Sequence, residues 1–314
     1  MRMKKNIIFL IALLPLVLTA QIHWQNVDSL YAPLPPTVHV FYSNDSIGGK
    51  PNIAYYVSAK INDKHLNFTA QTGNGKRFTP SQYFENEGKP LVVVNCTFFE
   101  FVHNSNLNLV INNGKLLAYN IQAIAARGKD TFTYRHPFSS AIGITKNRRV
   151  DVAWLYTDST KKFPFASQNP IEALKDSSAK FYYNTTNLKR WKMQTAVGGG
   201  PVLLQQGAIN VTNNQELKFA GKAGLTDKHP RTCMGYTNDG QLIIMCIQGR
   251  FSGIAEGANL TQEAQLLKDL GCIEALNLDG GGSSCLLVNG KPTIKVSDKE
   301  GQRPVPAVFM IKAK

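Results

Sequence analysis

Glycine runs and arginines are the residues of this sequence that could bind a phosphate group. Consecutive glycines let a ligand approach the main chain closely, and their N–H groups can surround an anion. Serine hydroxyls add donors, and the planar guanidinium of arginine matches phosphate oxygens. The candidate phosphate-binding residues are Gly199, Gly200, Arg231, Arg250, Gly280, Gly281, Gly282, Ser283 and Ser284.

An ordinary loop or bulge is the alternative interpretation of any single glycine run. Two runs, one of them preceded by Asp279 and followed by two serines, are harder to explain in this way. Neither run ends in the Gly-Lys-Ser or Gly-Lys-Thr of a nucleotide-binding P-loop, and the run at 280–282 precedes an apolar, strand-like segment. Hydrolysis of nucleoside triphosphates is therefore disfavoured.

Three side chains are candidates for proton transfer. Asp279 follows the apolar run ALNL, so a strand end would present it beside the second glycine run. Glu100 follows the run VVVNCTFF, and His229 precedes Pro230-Arg231, where it could carry a proton or add a positive charge. A backbone cap, an exposed loop charge and a structural histidine are the respective alternatives.

The elements that must position these residues are mainly strands. Apolar and β-branched runs predict strands at 38–43, 52–61, 66–71 and 90–99. Turn residues predict hairpins centred on 112–114, 146–149 and Asp239-Gly240. Helix starts are predicted at Thr79-Pro80, at Asn169-Pro170 and at Thr261, the last helix ending at Gly271. Together these elements predict one α+β domain with a mixed, mostly antiparallel sheet and a few flanking helices.

The N-terminus has the pattern of a secretory signal peptide over residues 1–20. Two lysines precede an apolar run of about a dozen residues, which is short for a membrane span, and Leu18-Thr19-Ala20 fits a cleavage site. We therefore expect an exported protein, periplasmic or extracellular, with one domain over 21–314, of which 21–50 is a lead-in. No stable membrane insertion is expected.

The formal net charge of +14 favours anionic partners in general. The basic residues are scattered and form no dense stripe interleaved with aromatics, so no nucleic-acid partner is expected. Five cysteines lack the spacing of a zinc site. A two-residue turn at Asp239-Gly240 would place Cys233 opposite Cys246. Two interpretations are therefore open: a disulfide between these cysteines, or two buried free thiols.

Four motifs, in this order, resemble the phosphodiester glycosidase family over residues 52–312. The resemblance implies cleavage between a sugar anomeric carbon and a phosphodiester, releasing free sugar and a phosphomonoester. It also implies that Asn95 contributes to substrate binding, beside the phosphate-binding residues named above. The motifs are Asn95-Cys96-Thr97-Phe98-Phe99, GGGPVLLQQG, His229-Pro230-Arg231-Thr232 and NLDGGGSS at 277–284, and Arg303-Pro304-Val305-Pro306 also resembles the end of the family.

Two further interpretations stay open. The family often has Asp-Gly-Arg where this chain has Gln248-Gly249-Arg250, which favours a non-catalytic binder of glycans or phosphoglycans on the same fold. A metal-dependent phosphodiesterase would need several Asp or His ligands in close order, and the sequence has no such cluster. We expect no cofactor, although Asp279 leaves room for a single divalent cation.

Overall fold

The computed structural model of the protein describes residues 22–126, 131–180, 182–219 and 225–314. The predicted signal peptide lies outside the described residues. Among the described helices, none has the length and apolar character needed to cross a bilayer.

The described residues form 23 strands and three α-helices. Short 3₁₀ turns occupy Asp28–Tyr31, Thr185–Asn187 and Gly281–Ser283. The helices are α1 (Pro80–Asn86), α2 (Asn213–Glu216) and α3 (Leu260–Asp269). The strands are β1 (Gln25–Asn26), β2 (Val38–Ser43), β3 (Ala54–Lys60), β4 (Leu66–Thr72), β5 (Val92–Asn95), β6 (Val110–Asn112), β7 (Lys115–Ala118), β8 (Ile124–Ala125), β9 (Tyr134–His136), β10 (Ser140–Ile144), β11 (Val150–Tyr156), β12 (Phe165–Ser167), β13 (Leu174–Asp176), β14 (Lys189–Arg190), β15 (Thr195–Gly198), β16 (Val202–Gln205), β17 (Ala208–Ile209), β18 (Arg231–Thr237), β19 (Gln241–Ile247), β20 (Cys272–Asn277), β21 (Leu286–Val288), β22 (Lys291–Pro292) and β23 (Ala307–Ala313).

The described residues form four sheets, and the predicted α+β class is confirmed. Their strand orders are β1-β2-β3-β19-β18-β20-β16-β17, β14-β12-β11-β10-β15-β6-β7, β22-β21-β5-β23-β4 and β13-β9-β8. Every strand pair recorded in the described ranges is antiparallel, for example β18 with both β19 and β20. Side chains of the eight-, seven- and five-stranded sheets meet in one large apolar core.

Local sequence signals locate most of these elements correctly. The strand predicted at 38–43 is β2, and the hairpins at 112–114 and 146–149 are present as β6–β7 and β10–β11. Helix α1 has the predicted capping box between Thr79 and Gln82. The strand predicted at 90–99 ends early, because the chain leaves the sheet after Asn95 and the Cys96 carbonyl accepts from the Asp279 amide instead.

Two predicted helix starts are wrong in position or kind. Helix α3 begins with Asn259 as its N-cap, closed by a capping box with Gln262, two residues before the predicted Thr261. No helix follows Asn169-Pro170, because the chain continues into β13, which pairs with β9. The local proline signal is thus overridden by a long-range strand pairing.

The turn between β18 and β19 determines whether Cys233 and Cys246 can form a disulfide. Tyr236 pairs with Leu242, so the turn is one residue longer than predicted, with Gly240 at φ +84°. This register places Cys233 opposite Met245, and its side chain packs with α3, whereas that of Cys246 packs in the large core on the other face. All five cysteines are free, so the disulfide interpretation is wrong.

Candidate active site

A cavity of about 210 Å³ lies where β18 begins and β20 ends. It combines three arginines with a carboxyl group, an imidazole and two aromatic rings, and so could hold an anion beside a proton acceptor. Its lining residues are Phe98, Phe219, His229, Arg231, Arg250, Asp279, Gly280, Gly281, Gly282 and Arg303.

The register of β18 against β20 brings Arg231 to Asp279. Cys233 pairs with Asn277 and Met234 with Leu276. Continued two residues past the end of β20, the same antiparallel register places Arg231 opposite Asp279. The hydrogen bond from the Leu278 amide to the Thr232 carbonyl, 2.8 Å, shows that the two chains stay paired beyond the strand end.

Asp279 is the carboxyl group of this cavity. Burial raises the pKa of Asp279 to about 7, against the opposing effects of Ser283, the Arg303 charge and the Gly280 amide. Its Oδ2 is buried and accepts no hydrogen bond from any described residue. The carboxyl group therefore titrates near neutral pH, and its buried Oδ2 has unused hydrogen-bonding capacity.

Arg231 and Arg250 differ in how firmly they are held. Arg231 is 2 % exposed, and its Nε donates to the Ala258 carbonyl at 2.9 Å. Arg250 is exposed, has a left-handed backbone at φ +67°, and has no side-chain hydrogen bond within the described residues. Together they offer one fixed and one adjustable guanidinium to an anion.

The glycine run 280–282 permits close packing rather than forming the expected ring of amides. A Cβ at Gly280 would lie 2.8 Å from the Pro230 carbonyl oxygen, and one at Gly281 would lie 3.0 Å from Nη2 of Arg250. The Gly281 amide already donates to Pro230. The run thus lets the Pro230 backbone and the Arg250 side chain approach closely.

Arg303 is a cavity residue that the sequence interpretation missed as a site residue. Its Nε and Nη2 donate to both carboxylate oxygens of Asp298 at 2.7 and 2.9 Å, and its Nη1 lies 3.4 Å from the Ser283 hydroxyl. Because Asp298 neutralises its charge, Arg303 contacts Ser283 and favours the ionised form of Asp279 more than it attracts an anion. The Arg303-Pro304 motif was the signal that could have identified it.

His229 also lines the cavity. Burial, followed by the positive charges of Arg231 and Arg250, lowers the pKa of His229 below its usual value. The imidazole is therefore neutral at pH 7. This argues against its predicted role as an additional cation, whereas its predicted role as a proton carrier stays a prediction, since a neutral imidazole can accept a proton.

Asn95 lies beneath the site and does not line the cavity. It is fully buried; its Nδ2 donates to the Asp279 carbonyl at 2.5 Å, and its Oδ1 accepts from the Thr232 hydroxyl and the Cys285 amide, both at 3.0 Å. One side chain thus joins β5, β18 and the loop that carries Asp279. Its predicted contact with substrate is replaced by a positioning role.

We expect Asn95→Ala to lower the free energy of unfolding by about 3 kcal/mol, since it leaves several buried groups unpaired. Urea unfolding of the variant and of Asn67→Ala, an exposed asparagine on β4, measures the difference. The control should change stability by less than about 0.5 kcal/mol. Equal midpoints for the two variants would contradict the positioning role.

Other predicted site residues lie elsewhere. Glu100 caps its own loop, accepting from the Val102 and His103 amides at 2.6 and 2.7 Å, and does not line the cavity. The Gly199 and Gly200 amides donate to the carbonyls of Ser140 and Asn277, so neither is free for phosphate. The Ser284 hydroxyl is buried away from the cavity.

Gln248, the departure from the family pattern, is likewise outside the cavity. It is 6 % exposed, and its Oε1 accepts from the Lys295 amide at 2.8 Å. The side chain therefore ties two loops together, and its identity gives no support to a binding-only site. No three His, Cys, Asp or Glu side chains of the described ranges form a group that could hold a metal ion.

Comparisons with known proteins bear on the family and the fold of this chain. The sequence profile described as phosphodiester glycosidase matches residues 88–312. An uncharacterized SPbeta prophage-derived protein of Bacillus subtilis is 42% identical over 76 residues, which are 24% of this chain and 12% of that protein. Mouse N-acetylglucosamine-1-phosphodiester alpha-N-acetylglucosaminidase is 38% identical over 60 residues, 19% of this chain and 11% of the mouse protein. This chain therefore spans a small part of the curated relatives that it matches.

Two solved structures share the fold. A hypothetical protein from Synechocystis superposes with a TM-score of 0.65 at 14% identity, covering 94% of this chain and 68% of that one. The catalytic domain of zebrafish N-acetylglucosamine-1-phosphodiester alpha-N-acetylglucosaminidase, auto-inhibited by its pro-peptide, gives a TM-score of 0.57 at 18% identity, covering 94% of this chain and 89% of that one.

Proposed function

Since this chain belongs to the phosphodiester glycosidase family, we propose that it hydrolyses a sugar-1-phosphodiester to free sugar and a phosphomonoester. The observation that carries the proposal is one cavity holding Asp279 beside Arg231 and Arg250. A phosphodiester has a single negative charge, which two guanidinium groups balance without a metal ion.

The arginines stabilise the leaving group. As the bond between the anomeric carbon and the phosphate oxygen breaks, its electron pair moves to the phosphate, which becomes a dianion. Guanidinium groups already facing the phosphate stabilise that added charge without reorganising. Because a phosphate leaving group needs little protonation, Arg231 and Arg250 take the place of a separate acid.

Asp279 activates the water molecule. Its ionised carboxylate accepts a proton from water, whose oxygen bonds to the anomeric carbon as the phosphate departs. The raised pKa makes the carboxylate a stronger base than an ordinary aspartate, while leaving part of it ionised at pH 7. The neighbouring Ser283 hydroxyl and Gly280 amide favour its ionised form.

Product analysis in labelled water tests the reaction. A synthetic sugar 1-(alkyl phosphate) incubated with the protein in H₂¹⁸O should give free sugar with the label on the anomeric hydroxyl and an unlabelled alkyl phosphate. Sugar-1-phosphate and free alcohol, or label in the phosphate, would mean cleavage of a P–O bond instead. Release of neither product, with intact binding of alkyl phosphate, would support the binding-only alternative.

The pH dependence follows from Asp279. We expect kcat/KM to rise about tenfold between pH 6 and pH 8 and then to level off, as the carboxyl group with a pKa of about 7 ionises. Burial and the two neighbouring arginines lower the pKa of His229, so this imidazole loses its proton at lower pH than an ordinary histidine. Initial rates at fixed ionic strength measure the profile. A rate that falls as pH rises through 7 would assign Asp279 as an acid.

We also propose that the protein is exported to the periplasm or the medium, supported by the signal-peptide pattern of residues 1–20. Mass spectrometry of the protein recovered from the medium or periplasm should show a chain beginning at Gln21.

A further inference from the structure

A second cavity lies next to the first, on the other side of two aromatic rings. It also measures about 210 Å³, and Phe98 and Phe219 line both cavities. The two rings meet edge to face with their centroids 5.8 Å apart. A substrate bound in the first cavity could therefore extend past this aromatic pair into the second.

Most of the second cavity is apolar. Its volume of about 210 Å³ is enough for a compact group. A sugar ring would leave hydroxyl groups unpaired against these aliphatic side chains. Besides the two rings, its apolar wall includes Leu107, Ile121, Ile124, Pro137 and Leu217.

Lys218 places a positive charge in this apolar wall. Its Nζ donates to the Ser139 hydroxyl at 3.1 Å and lies 5.3 Å from the centre of the Phe98 ring. Burial lowers the pKa of Lys218 to about 8, against the effect of Glu216. An ammonium has three donors, so a ligand acceptor could still bind to it.

Glu216 does not satisfy those donors. Its carboxylate accepts from the Ser140 amide and hydroxyl, the Val202 amide and the Thr212 hydroxyl, at 2.6 to 2.9 Å. The described residues contain no ion pair between Glu216 and Lys218 within 4.0 Å. The lysine therefore keeps donors that a ligand in the second cavity can use.

The position of the aromatic pair also indicates which part of a substrate would enter the second cavity. The Arg231 guanidinium, a proposed phosphate ligand, lies 5.5 Å from the centre of the Phe219 ring. With the sugar at Asp279, the group on the far side of the phosphate meets Phe219 and then the second cavity. We propose that this cavity binds the alcohol portion of the substrate, a short hydrocarbon whose far end carries a carboxylate or another hydrogen-bond acceptor for Lys218. This inference rests on the proposed function.

Product-side binding tests it without turnover. Calorimetry compares inorganic phosphate, n-butyl phosphate and 4-(phosphonooxy)butanoate on the wild-type protein. Butyl phosphate should bind at least ~10-fold tighter than inorganic phosphate, because its methylenes become buried. The terminal carboxylate should add about another tenfold through a charge-assisted hydrogen bond to Lys218.

Substitutions test which residue is responsible for each increase in affinity. Ile121→Trp fills the cavity and should abolish the tighter binding of butyl phosphate relative to inorganic phosphate. If Ile121→Trp does not fold, Leu107→Phe is used in its place. Lys218→Met should remove the carboxylate gain alone, and the exposed Lys192→Met should change neither. Equal binding of the three ligands, or gains that survive Ile121→Trp and Lys218→Met, would overturn the assignment.

Turnover then separates the two proposals. If the alkyl phosphates bind as expected and no sugar is released from a sugar 1-(butyl phosphate), the proposed function fails while the second cavity stands. If the methyl, butyl and carboxyl-terminated diesters are all hydrolysed with the same KM, the function stands and the second cavity is rejected.

Discussion

Asp279→Asn should lower kcat on a sugar-1-phosphodiester by about 10³-fold, within the range that general bases contribute. The amide keeps the shape of the side chain but cannot accept a proton from water. The fold should be unaffected or stabilised, because burial of the ionised carboxylate opposes folding at high pH. A raised folded-state pKa means that the folded protein binds the proton more tightly, so the cost of ionisation is absent below about pH 4 and full above about pH 7.

Initial rates and thermal unfolding at pH 8 measure the two effects together. Asp279→Asn should retain or raise the wild-type Tm, so that its loss of activity cannot be a loss of fold. Glu100→Gln is the matched control, since this acid caps its own loop outside the cavity and should be fully active. Loss of activity in Glu100→Gln and its retention in Asp279→Asn would reverse the assignment.

Antiparallel pairing explains why part of the site could be predicted. Asp279 and Arg231 each lie at the end of an apolar run, and such runs end at sheet edges. Sequence alone did not show that these two ends adjoin, because the register of β18 against β20 is a long-range property. Once that register is known, their meeting follows by counting residues.

The site residues that sequence missed lack any local pattern. Arg303 reaches the cavity from a loop far along the chain, and Phe219 follows the short helix α2. Conversely, Asn95 stands in a family motif but points beneath the site, where its amide joins three segments. Residue type and motif membership therefore identified the region of chemistry, while strand packing decided which side chains face the substrate.

The errors in the fold have the same origin. Capping boxes and hairpin turns are local, and those of α1, β6–β7 and β10–β11 were predicted correctly. One extra residue in the turn at Gly240 moved Cys233 to the opposite face from Cys246, because side chains alternate along a strand. A local signal gives the position of a turn within a residue or two. Prediction of a disulfide between paired strands requires the exact register.

Arg231→Ala should lower kcat/KM by about 10³-fold and Arg250→Ala by about 10²-fold, because both guanidiniums face the phosphate as its charge grows. Arg231 should matter more, since its hydrogen bond to the Ala258 carbonyl holds it in place before substrate binds. Arg250 is exposed and makes no such bond within the described ranges, so part of its interaction energy is offset by the cost of ordering the side chain. Steady-state rates on one phosphodiester compare the two variants.

Measurements of stability distinguish a loss of phosphate binding from a loss of fold in these variants. Arg231 is buried, so Arg231→Lys accompanies Arg231→Ala; a lysine keeps the charge but loses the planar donor pair, and should recover at most about a tenth of the activity. Arg250→Ala should leave Tm unchanged, as should Arg149→Ala in an exposed turn, which should also keep full activity. Because substrate meets both guanidiniums in the same cavity, inhibition by inorganic phosphate should weaken in parallel with kcat/KM. Wild-type turnover by Arg231→Ala would show that the phosphate does not bind in this cavity, and would contradict the proposed reaction.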